Sequence, residues 1–282
     1  VQFEPPRGLR PGVLGTLIDE KADVRDVTAT IIDLAVRGHL RIEEVPGEKD
    51  DYRLVSLRNE SDELLWFETA ILNAIFEKEA VVTLTKLKTT FASDMKTAQQ
   101  SLYRRVVDLG WFRANPQSVR SSWVAMGAIL TGAGAIGLFW AFSIGTIGLL
   151  MLPVILIGIA VMIASGAAPA RTAEGSRILA QTKGFELYLR TAEGNQLRFE
   201  EGQDVFSRYL PYAVAFDIAE QWAKKFEDLA AEGFDVPVPH WYVGSVAGTA
   251  FWMHAGGFSH SIGQFSSLAD AAISAPTPSS SG

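Results

Sequence analysis

The sequence predicts a mainly α-helical protein of α+β class. It combines winged-helix-like modules, a two-helix transmembrane hairpin, a further helical segment and a disordered tail. Three observations carry this expectation. First, Ser121–Ala170 is a run of 50 residues without Asp, Glu, Lys or Arg, closed by Arg120 and Arg171. A bilayer core about 30 Å thick needs roughly 20 apolar residues per spanning helix, so the run is too long for one span and suits two. The competing reading, a pair of buried helices in a soluble protein, requires a charge-free core longer than soluble folds usually sustain. Second, apolar residues recur at helical spacing on both sides of the run. Third, two stretches alternate apolar and polar residues around a polar turn.

Residues 1–17 are rich in Pro and Gly and read as an irregular lead-in. From Asp23 the pattern turns helical, with Val27, Ile31, Leu34 and Ala35 on one face. Asp23 or Asp26 fits the N-cap and Gly38 the stop. Leu40–Glu44 and Tyr52–Leu57 then alternate around Pro46–Asp51, a β-hairpin with a polar tip. Ser61 or Asp62 caps a helix reaching Phe76, Val81–Leu84 is a short strand, Leu87–Phe91 a short helix, and Asp94–Leu109 a longer one stopped by Gly110. Helix, strand, helix, helix, strand is the order of a winged-helix unit. Residues 18–120 are therefore expected to form a winged-helix-like cytoplasmic domain of one or two such modules.

Residues 121–170 hold the expected hairpin, with spans near Trp123–Phe142 and Gly145–Ser165 and a reversal at Ser143–Gly145. Trp123 and Trp140 suit the two interfaces. Ala133, Gly137 and Ala141 form a row of small residues on the first span, and close packing within the hairpin explains it better than a dimer contact. The spans carry no ionisable side chain, the usual marker of ion-coupled transport. Arg104, Arg105, Arg113 and Arg120 precede the hairpin, and Arg171, Arg177 and Lys183 follow it. Basic flanks on both sides place both soluble parts in the cytoplasm, giving a multi-pass cell-membrane protein.

Residues 171–235 are expected to form a helical cytoplasmic segment packed on the first domain. One helix covers Thr172–Arg190. Asn195–Phe199 reads as a short extended piece. A second helix begins near Tyr209 or Pro211 and runs to Ala231, with Ala215, Ala219, Trp222 and Phe226 as its apolar stripe and Lys224, Lys225, Glu227 and Asp228 facing water. Residues 236–282 are rich in Gly, Ser and aromatics, with Asp270 the one acidic or basic residue apart from His, and read as a largely disordered tail. A third span at Trp241–Phe258 would be short and interrupted by glycines.

Composition narrows the function. The 282 residues carry a formal net charge of −7 and no cysteine, which excludes a disulfide framework and a thiolate zinc site. Residues 1–120 hold 17 Lys and Arg against 19 Asp and Glu, and residues 171–282 hold 8 against 13. Neither part has the basic surface of a phosphate-backbone binder, so nucleic acid is an improbable partner. His240, His254 and His260 sit in the tail without the rigid ligand set a metal requires. Glu48, Asp50 and Asp51 form a turn tip without EF-hand spacing. Glu43–Glu44 and Glu200–Glu201 read as solvated carboxylates, and Arg104–Arg105 as juxtamembrane charge. Trp241, Tyr242, Phe251, Trp252 and Phe258 read as an interfacial patch or docking strip. No nucleophile elbow, P-loop, zincin or dinucleotide motif opens a strand-to-helix turn, and Gly132-Ala133-Gly134 lies within a span and does not read as a nucleotide loop. No catalytic, cofactor-binding or metal residues are assigned, and no enzyme activity is expected.

Asp26–Ile42, Gly110–Phe112, Arg171–Gly175, Lys183–Leu189, Tyr209–Ala213 and Trp241–Tyr242 occur in an order that resembles the C-terminal region of the bacterial predicted membrane proteins catalogued as domain of unknown function 2207. The resemblance covers roughly residues 5–245. It implies a longer protein with a signal sequence, an extracytoplasmic β-rich domain and a further transmembrane helix ahead of this region. It implies no activity and carries over no catalytic residue. The functional expectation is a membrane-anchored interaction or scaffold module whose partners are the lipid bilayer and a protein partner or second copy. The alternatives are a membrane-tethered nucleic-acid-binding regulator and a non-catalytic component of an enzyme or transport complex.

Overall fold

A computed structural model describes residues 2–6, 8–45, 51–57, 64–144, 151–192, 204–244, 250–253 and 257–274. The chain divides into two compact units. One is assembled from Val1–Leu102 and Ile178–Gly282; the other is Tyr103–Arg177. The described residues are mainly helical, with one small mixed sheet.

The first unit is built around α2 (Val24–Val36), which touches α1 (Pro11–Asp19), α3 (Trp66–Phe76) and β1 (Leu40–Glu44) from the front of the chain. From the back of the chain it meets α9 (Val205–Ala215) and α12 (Gly257–Ser274). Asp23 is its N-cap: the Asp23 carboxylate accepts from the Asp26 N–H at 3.2 Å, and Asp26 reaches back to the Asp23 N–H. Gly38, at φ 81°, ends it in the left-handed region that favours glycine. Helix α1 corrects the expectation of an irregular lead-in over 1–17. Pro11 occupies the first helical turn, where its missing N–H costs nothing. Gly12 and Gly15 are not helix breakers here. A Cβ at either would overlap atoms of Asp26 or Thr30, so they let α1 lie directly against α2.

The sheet runs β3-β2-β1-β4. β1 pairs antiparallel with β2 (Tyr52–Ser56), Ile42 opposite Leu54; β2 pairs antiparallel with β3 (Val81–Thr83), Leu54 opposite Val82. β4 (Tyr242–Val243) adds parallel to β1, Ile42 opposite Tyr242. Leu40, Ile42, Tyr52, Leu54 and Val82 form the buried face, as a period of two requires. Pro46–Asp50, Ser61–Glu63 and Asn195–Phe199 lie outside the described residues; α3 starts at Trp66 with Leu65 as its N-cap, which corrects the expected cap at Ser61 or Asp62. α4 (Leu84–Thr90) and α5 (Ala92–Asp108) follow the sheet.

Behind the hairpin, α8 (Ala173–Thr191) is the helix expected over Thr172–Arg190. Two further corrections concern the back of the chain. The single helix expected over Tyr209–Ala231 is two: α9, then α10 (Ala219–Ala231). Asp217, at φ 59°, breaks them, and Pro211 lies inside α9, capped instead by Asp204. Within α10, Trp222 and Phe226 are buried as the stripe requires, but so is Glu227, whose carboxylate takes the Ser259 N–H at 2.6 Å and so caps α12. The largely disordered tail expected over 236–282 instead holds α11 (Ala250–Met253) and α12. Phe258, Ile262, Phe265, Ala269 and Ile273 repeat at helical spacing and are all buried. The rings of Phe206, Phe226, Trp252 and Phe258 meet at 4.9–6.4 Å. Low charge in this stretch reflects burial in a core, not absence of structure.

The second unit is the hairpin. α6 (Pro116–Ile144) and α7 (Leu152–Ala164, continued by a 3₁₀ turn at Ser165–Ala167) lie antiparallel. The face of α6 that meets α7 is Gly127, Thr131, Gly134 and Gly137, against Met162, Gly158, Ile155 and Met151. Ala133, expected in the packed row, is exposed. Gly137 of the expected row does pack, against Met151, but at 3.6 residues per turn it shares its face with Gly134 and Thr131 rather than with Ala133.

Candidate functional site

Two places carry the chemistry. The first is the outer surface of the hairpin. Ile129, Phe139 and Ile163 are 70%, 73% and 78% exposed, and the most apolar stretch of Pro116–Trp140 is only 11% buried. A soluble core helix of this composition would be covered. Trp123 and Trp140, both exposed, are separated by about 26 Å along the helix at 1.5 Å per residue, close to the hydrocarbon thickness. Pro116–Trp140 is the one described helix long and apolar enough to cross a membrane; α7 is shorter, and the residues expected to extend it, 145–150, lie outside the description. The neck of the hairpin is tied by Gly110–Phe112 and Arg171–Gly175. The Thr172 N–H donates to the Trp111 carbonyl at 2.9 Å, its hydroxyl to the Gly110 carbonyl at 2.7 Å, and Phe112 bridges to Arg171. Gly175 must be glycine, because a Cβ there would overlap the Trp111 backbone.

The second place is a buried charge cluster beside a cavity in the first unit. Glu68, in the first turn of α3, is 0% exposed. One carboxylate oxygen accepts from the Leu65 N–H at 2.8 Å; the other lies 3.0 Å from Arg10 Nε and 2.7 Å from Arg37 Nη2. Arg37 also pairs with Asp33 at 2.9 Å, one turn back on α2. Both arginine contacts to Glu68 are ion pairs at angles outside hydrogen-bond geometry. Burial pushes the Asp33 carboxyl above its usual range, and Arg37 and Arg10 pull against it. Beside the cluster opens a cavity of about 630 Å³ lined by Glu4, Arg10, Asp33, Arg37, Ser207, Arg208, Tyr212 and His240, among others. Burial raises the Tyr212 phenol, which donates to the Leu9 carbonyl at 2.8 Å.

The six stretches quoted from the sequence converge on these elements. Asp26–Ile42 supplies α2 and β1; Lys183–Leu189 and Tyr209–Ala213 meet where Phe185 packs against Tyr209 and Tyr212 at 5.2 and 5.6 Å. The model of the family described as predicted membrane protein (DUF2207) C-terminal domain matches residues 1–226. The chain belongs to this family. No curated protein and no solved structure matched the chain. As a DUF2207 C-terminal domain, the chain is assigned to the membrane by family and by the exposed apolar surface of α6 alike.

The other residues singled out in the sequence separate. His240 and His260 are exposed, and His254 lies outside the described residues. Among the described residues no three His, Cys, Asp or Glu gather as a metal site. Glu43 pairs with Arg41 at 2.6 Å, while Glu44 accepts from the Tyr242 hydroxyl at 2.6 Å; they do not act as a carboxylate pair. Asp51 accepts from the Tyr52 N–H; Glu48, Asp50, Glu200 and Glu201 lie outside the description. Trp241, Tyr242, Phe251, Trp252 and Phe258 are all buried, which corrects the reading of a docking strip. Ser207 and His240 share the cavity, but Ser207 Oγ has no hydrogen-bond partner, so the nucleophile–base contact of covalent catalysis is not made. Sequence reasoning missed Glu68, Arg10 and Ser207. Glu68 follows Leu65, which has no capping side chain, so no start signal pointed to it, and its arginine partners lie 58 and 31 positions away.

Proposed function

We propose that this domain is a membrane-anchored interaction module, held by two crossings of the bilayer with its soluble sections in the cytoplasm. One observation carries the reading. The first unit is assembled from chain on both sides of the hairpin, and a single compact unit requires both sections on one side of the bilayer. The intervening stretch must then cross an even number of times, so α6 is paired with a second span containing α7. The arginines flanking the stretch favour the cytoplasmic side. The strand order β3-β2-β1, with α2 feeding the β1–β2 hairpin, supports a winged-helix-like reading of the front section. α2 is buried along most of its length by its neighbours, which favours a protein partner or a second copy over a nucleic-acid groove.

Single cysteines at Thr85 and Ala231, both exposed, and at Ser143 test the topology. In intact cells an impermeant thiol reagent should label position 143 and spare 85 and 231. Labelling of position 85 with protection of 231, or the reverse, would refute the double crossing.

A further inference from the structure

The charges of the chain are divided unevenly between its two units. Tyr103–Arg177 holds six Arg and no Lys against two acids, Asp108 and Glu174, whereas the rest of the chain holds 19 Lys and Arg against 30 Asp and Glu. A positive unit inside a chain of net charge −7 is a local feature, not a result of overall composition. Three of its arginines have local explanations. Arg177 is held by Glu174 through a two-pronged pair at 2.6 and 2.9 Å, and Arg104 and Arg105 lie at the end of α5, where the helix dipole favours cations. Arg113, Arg120 and Arg171 remain, and all stand at the foot of the hairpin. The Arg113 N–H donates to the Ala170 carbonyl at 3.4 Å, which sets Arg113 beside Arg171 across the neck. Gly127 of α6 packs on Met162 of α7. Arg120 lies about 10 Å nearer the neck at 1.5 Å per residue, level with the 3₁₀ turn at Ser165–Ala167 and a few residues short of Arg171. One helical turn further in, the exposed surface becomes apolar with Trp123, Val124 and Met126. The start of α6 is not the attraction, because the Asn115 side chain already accepts from the Gln117 and Ser118 N–H groups at 2.9 and 3.3 Å.

We propose that the foot of the hairpin selects anionic phospholipids, whose phosphates are taken by Arg113, Arg120 and Arg171. The guanidinium fork matches phosphate oxygens in charge and geometry. A leaflet presents its phosphates in one plane, at the depth where α6 passes from charged to apolar surface. Arginines spread around that level suit several headgroups and need not converge on one ligand. The adjoining belt of Trp123, Val124 and Met126 gives acyl chains a contact that free phosphate cannot use. The inference rests on the membrane anchoring proposed above and names the class of lipid.

The test follows the melting temperature of the full chain in neutral detergent micelles at about 0.1 M salt as phosphatidylglycerol is added, against phosphatidylcholine with the same acyl chains, glycerol phosphate and a short DNA duplex. A ligand that binds the folded state raises the melting temperature saturably. Phosphatidylglycerol should do so at a mole fraction roughly tenfold below any effect of phosphatidylcholine, and the two soluble phosphates should have no effect. Arg113→Gln, at an exposed side chain whose backbone keeps its tie to Ala170, should raise the half-saturating mole fraction about fivefold. Adding Arg120→Gln should bring the loss to about tenfold or more; if the double variant does not fold, the single one still decides. Lys88→Gln with Lys96→Gln, exposed positions of the first unit, removes two charges and should leave the lipid effect unchanged. Phosphatidylcholine acting as well as phosphatidylglycerol would overturn the proposal. So would equal stabilisation by glycerol phosphate or DNA, a lipid effect that Arg113→Gln leaves unchanged, or one that the lysine variant weakens as much. Micelles have no sides, so this result is blind to the number of crossings, as the cysteine labelling is blind to lipid class.

Discussion

Replacing Glu68 by Gln should destabilise the first unit by about 3–5 kcal/mol, the usual cost of removing one partner from a buried ion pair. The magnitude follows from the geometry. At about 3 Å and an effective dielectric near 20, each arginine contact is worth roughly 5 kcal/mol of attraction. Desolvation of three charges and repulsion between Arg10 and Arg37 offset most of it. Gln keeps the shape, but its amide must present an N–H₂ either to the Leu65 N–H or to the two guanidiniums. Arg37 retains Asp33 at 2.9 Å, and the Arg10 side chain is 25% exposed and able to reach water, so the lower end of the range applies. For a unit of this size, 3 kcal/mol is about 6–12 °C in melting temperature. The assay is urea unfolding of the detergent-solubilised protein, followed by tryptophan fluorescence. A shift below about 1 kcal/mol at unchanged slope would show that the two arginine contacts to Glu68 add no net stability, and the account of the cluster would fail.

Three more expectations follow from other features. Burial raises the Asp26 carboxyl well above the ordinary aspartate value of 3.8, with Asp23 adding to the shift; its contribution to stability is complete below 3.8 and is lost as pH rises toward the folded value. Asp26→Asn should therefore flatten the decline of melting temperature as pH rises above 3.8, and an unchanged slope would exclude Asp26 as its source. Gly158→Leu should drive α6 and α7 apart, because the added Cβ meets backbone atoms of Thr131 and Gly127; overpacking of about 1–3 kcal/mol should appear as lost protease resistance in membranes, and full resistance would argue against the tight helix pair. Phe258→Ala should cost about 3–5 kcal/mol and open α12 to proteolysis, whereas a neutral result would restore the reading of an unstructured tail.

Much of the first unit was legible because its signals were local. The apolar spacing of Val27–Ala35, the capping aspartate at Asp23 and the alternation of Leu40–Glu44 each involve neighbours in sequence. What was not legible depends on partners far along the chain. Gly12 and Gly15 carry the signature of a loop until α2 is known to press against them. The Gly257–Ser274 helix carries too little charge to look folded, although its apolar spacing was readable; its surroundings are Thr28, Tyr52 and Glu227, whose groups bond Asp270, the Ser261 carbonyl and the Ser259 N–H. The break at Asp217 rests on one residue's backbone and has no apolar signal. The cavity was invisible for the same reason: its walls come from the lead-in, α2 and α9.

The division of the first unit across the hairpin sets an order of events during synthesis. α1, α2 and the β1–β2 strands leave the ribosome ahead of Tyr103–Arg177, yet α9, α12 and β4, which pack against them, follow only after that stretch has been made. At roughly 5–20 residues per second, the stretch from Tyr103 to Arg177 takes about 4–15 s to translate. Throughout that interval the apolar face of α2 waits for chain that does not yet exist. With the double crossing proposed above, completion of the first unit would report that the hairpin has been inserted with both ends on the same side. A chain that mis-inserts would leave its front section uncovered and open to proteases, a difference that pulse-chase proteolysis of wild type and a hairpin variant would record.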